Sequence, residues 1–116
     1  PQPKPVARAH GRRVQSQDGM NATEEAYSRV LELRKQAGEI AEWKFHALKL
    51  RLAKATFYDT DFMVVLANGE IEIHEVKGHM EDDAAVKFKT AQEMFPFRFL
   101  IVKRDGKAWS IKEWQR

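Results

Sequence analysis

The sequence predicts an α/β domain, a mixed sheet with helices packed against it. Three observations carry this. Residues 21–37 and 81–95 place apolar side chains at helical spacing. Between them lie extended runs, two of which are separated by Asn68-Gly69, a strong hairpin signal. After Pro96 the run Phe97–Lys103 is again extended. At 116 residues the chain has the size of one domain and can bury a core without staples.

Residues 1–20 hold three of the four prolines, no apolar period, and Lys4, Arg8, Arg12 and Arg13 against Asp18. They are expected to be a flexible basic arm. The remaining 96 residues carry sixteen basic and sixteen acidic side chains, so the whole net charge of +3 resides in the arm. Such an arm, with Arg12 and Arg13, suits a polyanion such as nucleic acid; a solvated tail is the plainer reading. Residues 21–116 form the expected folded domain.

Asn21-Ala22-Thr23-Glu24 reads as a capping box, which gives Glu24 a structural task. The helix runs to about Ala37, with Gly38 as its left-handed end. Ala26, Val30, Leu33 and Ala37 form its expected apolar stripe, widened by Tyr27 and Leu31. Trp43–Ala55 is extended, but its alternation shifts phase between Ala47 and Leu48, which asks for a bulge, a bend or two short strands. Phe57–Leu66 is expected as one central strand, apolar on both faces beyond Asp61. Ile71–Gly78 is the next strand. Glu81-Asp82-Asp83 opens a second helix at the end its dipole favours for acids. Ala84, Phe88, Ala91 and Phe95 are its buried stripe, and Pro96 ends it. Asp105-Gly106 turns the chain into a short last strand, Trp109–Ile111. The expected order is α-β-β-β-α-β with a further terminal strand.

Composition excludes several classes of function. No cysteine is present, so disulfides and cysteine-based zinc sites are ruled out. No apolar run approaches the ~18–20 residues of a membrane span. Pro1–Arg13 has no apolar leader segment, and a cytoplasmic location is expected.

The chemistry is concentrated in Asp61 and Glu75-Val76-Lys77. If Asn68-Gly69 were a two-residue loop, Asp61 and Glu75 would lie on opposite faces. If the loop is Ala67-Asn68-Gly69, paired residue numbers sum to 136 and Asp61 stands opposite Glu75. Their Cβ atoms would then be ~4.5–5.5 Å apart. Asp59 would likewise face Lys77. Two adjacent carboxylates repel unless a cation lies between them, and hard oxygen ligands suit Mg²⁺ or Mn²⁺. Lys77, two residues beyond Glu75, shares its face. An ammonium there can orient a water or stabilise a phosphorane-like transition state. The Val76 carbonyl is a further candidate ligand. The plainer reading of the cluster is a set of cross-strand ion pairs.

Other candidates follow from position. Glu25, on the shoulder of the helix stripe, could reach a metal site at the sheet edge, or could serve only the helix dipole. Lys87 and Lys89 flank Phe88 and could hold a phosphate, or be solvated flanks. Gln92 lies near a buried stripe and either bonds in a cleft or satisfies backbone at the core edge. His74 faces away from Glu75. His79 follows the strand and could meet substrate, though a loop histidine is more often bland. Trp43, Trp109 and Trp114 are expected in the core or at its edge.

The set Glu25-Ala26, Gly38-Glu39-Ile40, Asp61-Phe62, Glu75-Val76-Lys77-Gly78 and Lys89 resembles the PD-(D/E)XK nuclease superfamily, in particular its small phage-encoded endonucleases and junction-resolving enzymes. The likeness spans roughly residues 21–103. It departs from the motif at Thr60, where the name has proline. It implies a restriction-endonuclease-like α-β-β-β-α-β core and a Mg²⁺-dependent (or Mn²⁺-dependent) endonuclease acting on DNA phosphodiesters, including branched or junction DNA. Asp61 and Glu75 would bind metal, Lys77 would assist the water, and Glu25 would complete or orient the metal site. A phage-encoded member would act in the bacterial host cell. A catalytically silent DNA-binding module on the same fold, or an RNase, are the alternatives. So small a domain has little surface to grip a duplex, and a homodimer is one arrangement that would enlarge it.

Overall fold

The computed structural model describes residues 19–77 and 82–114. Two helices and seven strands follow in the order α1 (Ala22–Gln36), β1 (Ile40–Phe45), β2 (Lys49–Ala53), β3 (Thr56–Asp59), β4 (Phe62–Leu66), β5 (Ile71–Val76), α2 (Asp82–Met94), β6 (Arg98–Asp105) and β7 (Ala108–Glu113). Five strands form a mixed sheet in the order β1-β4-β5-β6-β7, while β2 and β3 pair only with each other. All neighbours in the main sheet are antiparallel except β5 and β6, which the α2 crossover makes parallel.

Helix α1 starts where its sequence signal lies. The Asn21 carboxamide accepts the Glu24 N–H at 2.8 Å, and the Glu24 carboxylate accepts the Asn21 N–H at 2.9 Å. It ends through Gly38, whose φ of 83° is the left-handed conformation glycine adopts without a Cβ penalty. The stripe that packs on the sheet is rotated from the expected one. Tyr27 and Leu31 are its fully buried centre, while Leu33 is 66% exposed. An aromatic ring and a leucine one turn apart bury more apolar area than Ala26 and Ala37 could, and the helix turns to seat them.

The sheet separates two apolar layers. On the α1 side Tyr27, Leu31, Ile40, Phe62, Val64 and Val102 pack together. On the other side α2 contributes Phe88 and Ala91 against Ile73, Phe99 and Ile101, and the β2–β3 hairpin adds Leu50 and Tyr58. The α2 stripe of Phe88, Ala91 and Phe95 is therefore the expected one. Burying a ring such as Phe88 is worth about 1.5–3 kcal/mol.

Two expected strands are divided. The phase shift after Ala47 becomes a break between β1 and β2, with His46 at φ 54°. Phe57–Leu66 is not continuous either: Thr60 is fully buried, and its N–H donates to the Leu48 carbonyl at 3.1 Å. That bond turns β3 onto the face of the sheet, where it pairs with β2. The last strand, expected as three residues, runs the full six of β7.

A buried polar chain ties the α1 layer together. The Tyr27 hydroxyl lies 2.7 Å from His74 Nδ1, and His74 Nε2–H donates to Glu72 Oε1 at 2.9 Å. Arg98 donates to the other Glu72 oxygen at 2.8 Å. The hydrogen bond from His74 holds Glu72 below the usual carboxylate range. His74 thus serves the interior, on the face away from Glu75.

Candidate functional site

The β4–β5 hairpin builds the site. Its turn is Ala67-Asn68-Gly69: the Leu66 N–H donates to the Glu70 carbonyl at 2.8 Å, and Gly69 sits at φ 91°. Asn68 Oδ1 accepts the Glu70 N–H at 2.9 Å, stiffening the loop. Pairs run from Val65↔Ile71 to Phe62↔His74, each summing to 136. The ladder ends there; Asp61 lies in the bend just before β4, and its carboxylate reaches across to the Val76 N–H beside Glu75. Of the two loops the sequence leaves open, the turn is the three-residue one, the parity that puts Asp61 and Glu75 on one face.

Both carboxylates are half-buried and each is held by one oxygen. The Val76 N–H donates to Asp61 Oδ2 at 2.9 Å. The Tyr58 hydroxyl, from β3, donates to Glu75 Oε1 in a short hydrogen bond. Among the described residues no hydrogen bond reaches the second oxygen of either group. The backbone around Asp61 is fixed as well, because the His46 N–H donates to the Asp61 carbonyl at 2.8 Å.

The electrostatics are those of acids crowded out of water. Burial raises Asp61 to about 8, with the Glu75 charge adding to it and the Val76 N–H partly opposing it. Burial raises Glu75 to about 7, the Tyr58 hydroxyl opposing. The Tyr58 phenol is itself driven up, first by burial and then by the Glu75 charge. The two carboxyls act as one unit, sharing protons until the pH is high enough to ionise both.

A third acid acts on this pair, and it is Glu24. Its charge raises both Asp61 and Glu75. Glu25 instead lies 3.8 Å from Arg29, one turn along the helix, with its side chain 36% exposed. The signal that separates the two acids is the rotated stripe. Glu24 lies three residues before Tyr27 and seven before Leu31, on the buried face, whereas Glu25 flanks it. Glu24 therefore caps α1 and adds its charge to the field at the pair. Tyr58 was missed for a different reason: nothing local says that Phe57–Leu66 folds back at Thr60.

The remaining candidates are scattered. Lys77 is half-buried, its N–H donating to the Val102 carbonyl at 2.7 Å. Asp59 does not face Lys77; it pairs with Lys49 across the β2–β3 hairpin, because β3 has left the main sheet. Lys87 is half-buried, and the exposed Lys89 places its ammonium 5.3 Å over the Trp114 ring. Gln92 is 3% exposed and donates to the Trp114 carbonyl at 2.7 Å, so it satisfies backbone at the core edge. Trp43, Trp109 and Trp114 pack against the two cores. Arg12, Arg13, Gly78 and His79 lie outside the described residues.

The donor set suits a hard divalent cation. It offers carboxylate oxygens only, each with one oxygen positioned by the protein and one open among the described residues. Among the described residues no three His, Cys, Asp or Glu side chains come together to hold a metal ion, so Asp61 and Glu75 stand as a pair. Comparison with known protein families, with curated proteins and with solved structures found no match to this chain.

Proposed function

We propose that this chain is a metal-dependent endonuclease hydrolysing DNA phosphodiester bonds, with Asp61 and Glu75 as ligands of Mg²⁺ or Mn²⁺. The observation that carries the reading is a pair of neighbouring, half-buried acids whose shared charge is unfavourable as it stands. Perturbed acids of this kind gather at sites of function. The element order supports it too. With the β2–β3 hairpin set aside, α1, β1, β4, β5, α2 and β6 follow the α-β-β-β-α-β order of the PD-(D/E)XK core that the motif residues resemble.

Bound there, a divalent cation would supply Lewis acidity at a phosphate oxygen and lower the pKa of a ligated water. The chain's own groups have defined tasks. The Val76 N–H and Tyr58 hydroxyl each hold one carboxylate oxygen and leave the other for the cation. The Val76 carbonyl is a further ligand in this reading. Lys77 supplies an ammonium to orient the attacking water or offset charge on the phosphate in the transition state. Glu24 adds negative charge that favours a cation at the pair, the part the resemblance would give to Glu25. Lys87, half-buried on α2, is in this reading the candidate to neutralise a neighbouring phosphate, whereas Lys89 lies over Trp114 and is left out of it.

Plasmid and four-way-junction DNA, incubated with Mg²⁺ or Mn²⁺, test the reading. Cleavage by the wild-type chain is expected, with a loss of at least about a hundredfold in Lys77→Ala. No cleavage above the Lys77→Ala background would sink it and leave the silent DNA-binding module. Parallel digestion of RNA decides between DNase and RNase.

A further inference from the structure

We propose that the free end of the β6–β7 hairpin is a docking ribbon for duplex DNA, projecting beside the candidate site. Strands β5 and β6 are parallel, so their carboxyl ends lie at one end of the sheet, the end that carries Glu75 and Lys77. Their pairing stops at Val76↔Val102. Strand β6 continues, and from there, among the described residues, it pairs only with β7, through Lys103↔Ser110, Arg104↔Trp109 and Asp105↔Ala108. A three-rung ribbon therefore overhangs the sheet at the candidate site.

Its composition is that of a polyanion-binding surface. Every residue from Lys103 to Ala108 is exposed, so this stretch adds nothing to the core. It carries Lys103, Arg104 and Lys107 against the single acid Asp105. Among the described residues no ion pair engages these three cations, as the ion pairs are made by Arg29, Arg34, Lys35 and Arg98 and by His74. Alternation sends Lys103 and Arg104 to opposite faces of the ribbon. The Arg104 guanidinium is kept in place over the Trp109 ring, 5.1 Å from its centre. Cations on both faces match a groove walled by phosphates on both sides. The major groove of B-DNA, ~12 Å wide, admits a two-stranded ribbon. The choice of DNA as occupant rests on the nuclease reading above.

The β2–β3 hairpin also carries cations, at Lys49, Arg51 and Lys54. It is the weaker candidate. Lys49 faces Asp59, and the hairpin tip at Lys54-Ala55 is the end remote from Asp61. Its inner side, Leu50 and Tyr58, is committed to the core.

Fluorescence anisotropy with a labelled duplex in EDTA, over a salt series, separates the two surfaces without requiring cleavage. For Lys103→Ala/Arg104→Ala/Lys107→Ala the proposal expects affinity at least about tenfold weaker at ~0.1 M salt. The slope of log K against log salt should be shallower by about 2–3, near 0.9 per lost phosphate contact. Lys103→Ala/Lys107→Ala, which leaves the Arg104–Trp109 contact intact, should show about two-thirds of that change in slope. Unchanged binding in both variants overturns the proposal, as does a larger loss in Lys49→Ala/Arg51→Ala, or a wild-type chain that does not bind the duplex. The nuclease reading fails separately. A chain that cleaves without using the ribbon sinks only the docking surface. A chain that binds through the ribbon but never cleaves sinks only the enzyme.

Discussion

Asp61 and Glu75 place two carboxyls where neither ionises easily, and that has a measurable cost. In the unfolded chain they titrate near 3.8 and 4.5; folded, they are raised to about 8 and about 7. Between about pH 4 and 8 the folded chain therefore binds more protons than the unfolded one. The metal-free protein loses stability from this pair as pH rises through that window and levels off once both groups are ionised. Each unit of displacement is worth about 1.4 kcal/mol. Asp61→Asn keeps an acceptor for the Val76 N–H and removes one charge. It is expected to stabilise the metal-free chain by on the order of 1–3 kcal/mol at pH 8, to change little at pH 4, and to abolish cleavage. Urea unfolding in EDTA at the two pH values checks this; equal or lower stability of the variant at pH 8 contradicts it. The sequence narrows the placement of these acids to two alternatives, because a side-chain period of two turns a loop length into a choice of face; the three-residue turn decides between them. Glu24 and Tyr58 were not legible there. The capping box accounts for Glu24 by itself, a task it does perform, and Tyr58 reaches Glu75 only through a fold-back that no local signal marks.

At the scale of elements, the β4–β5 hairpin does most to position the site, and its register hangs on one glycine. Gly69 lies at φ 91°, and a Cβ there would meet nothing within 4 Å. A substitution is penalised by backbone conformation alone. Gly69→Ala is expected to cost about 1 kcal/mol in urea unfolding, and Gly69→Asn less, since asparagine tolerates positive φ. Equal stability of all three chains would contradict the turn described. Helix α1 was legible through its capping box and Gly38, and α2 through its stripe and Pro96. The division of Phe57–Leu66 was not. A run apolar on both faces reads as one central strand. It is broken by contacts of Thr60 and Asp61 with the 46–48 loop, twelve or more residues away in sequence. The α1 stripe was misplaced by a smaller margin, because Ala26 and Tyr27 count equally as apolar in a pattern but not in buried area.

For the whole molecule, the proposed site and the proposed docking surface share one end of the sheet. The mixed five-stranded sheet sets Asp61, Glu75 and Lys77 at one end, and the parallel β5–β6 pair sends a basic ribbon past that same end. No helix among the described residues is long and apolar enough to cross a membrane. The claim at the centre is that the Asp61–Glu75 pair exists to hold a divalent cation. Anomalous diffraction from a crystal soaked in Mn²⁺ at pH 8 tests it most directly. A manganese peak bonded to one oxygen each of Asp61 and Glu75 is expected, and no peak there in Asp61→Asn. A soaked wild-type crystal with no manganese at the pair, or with manganese bound only elsewhere, would contradict it.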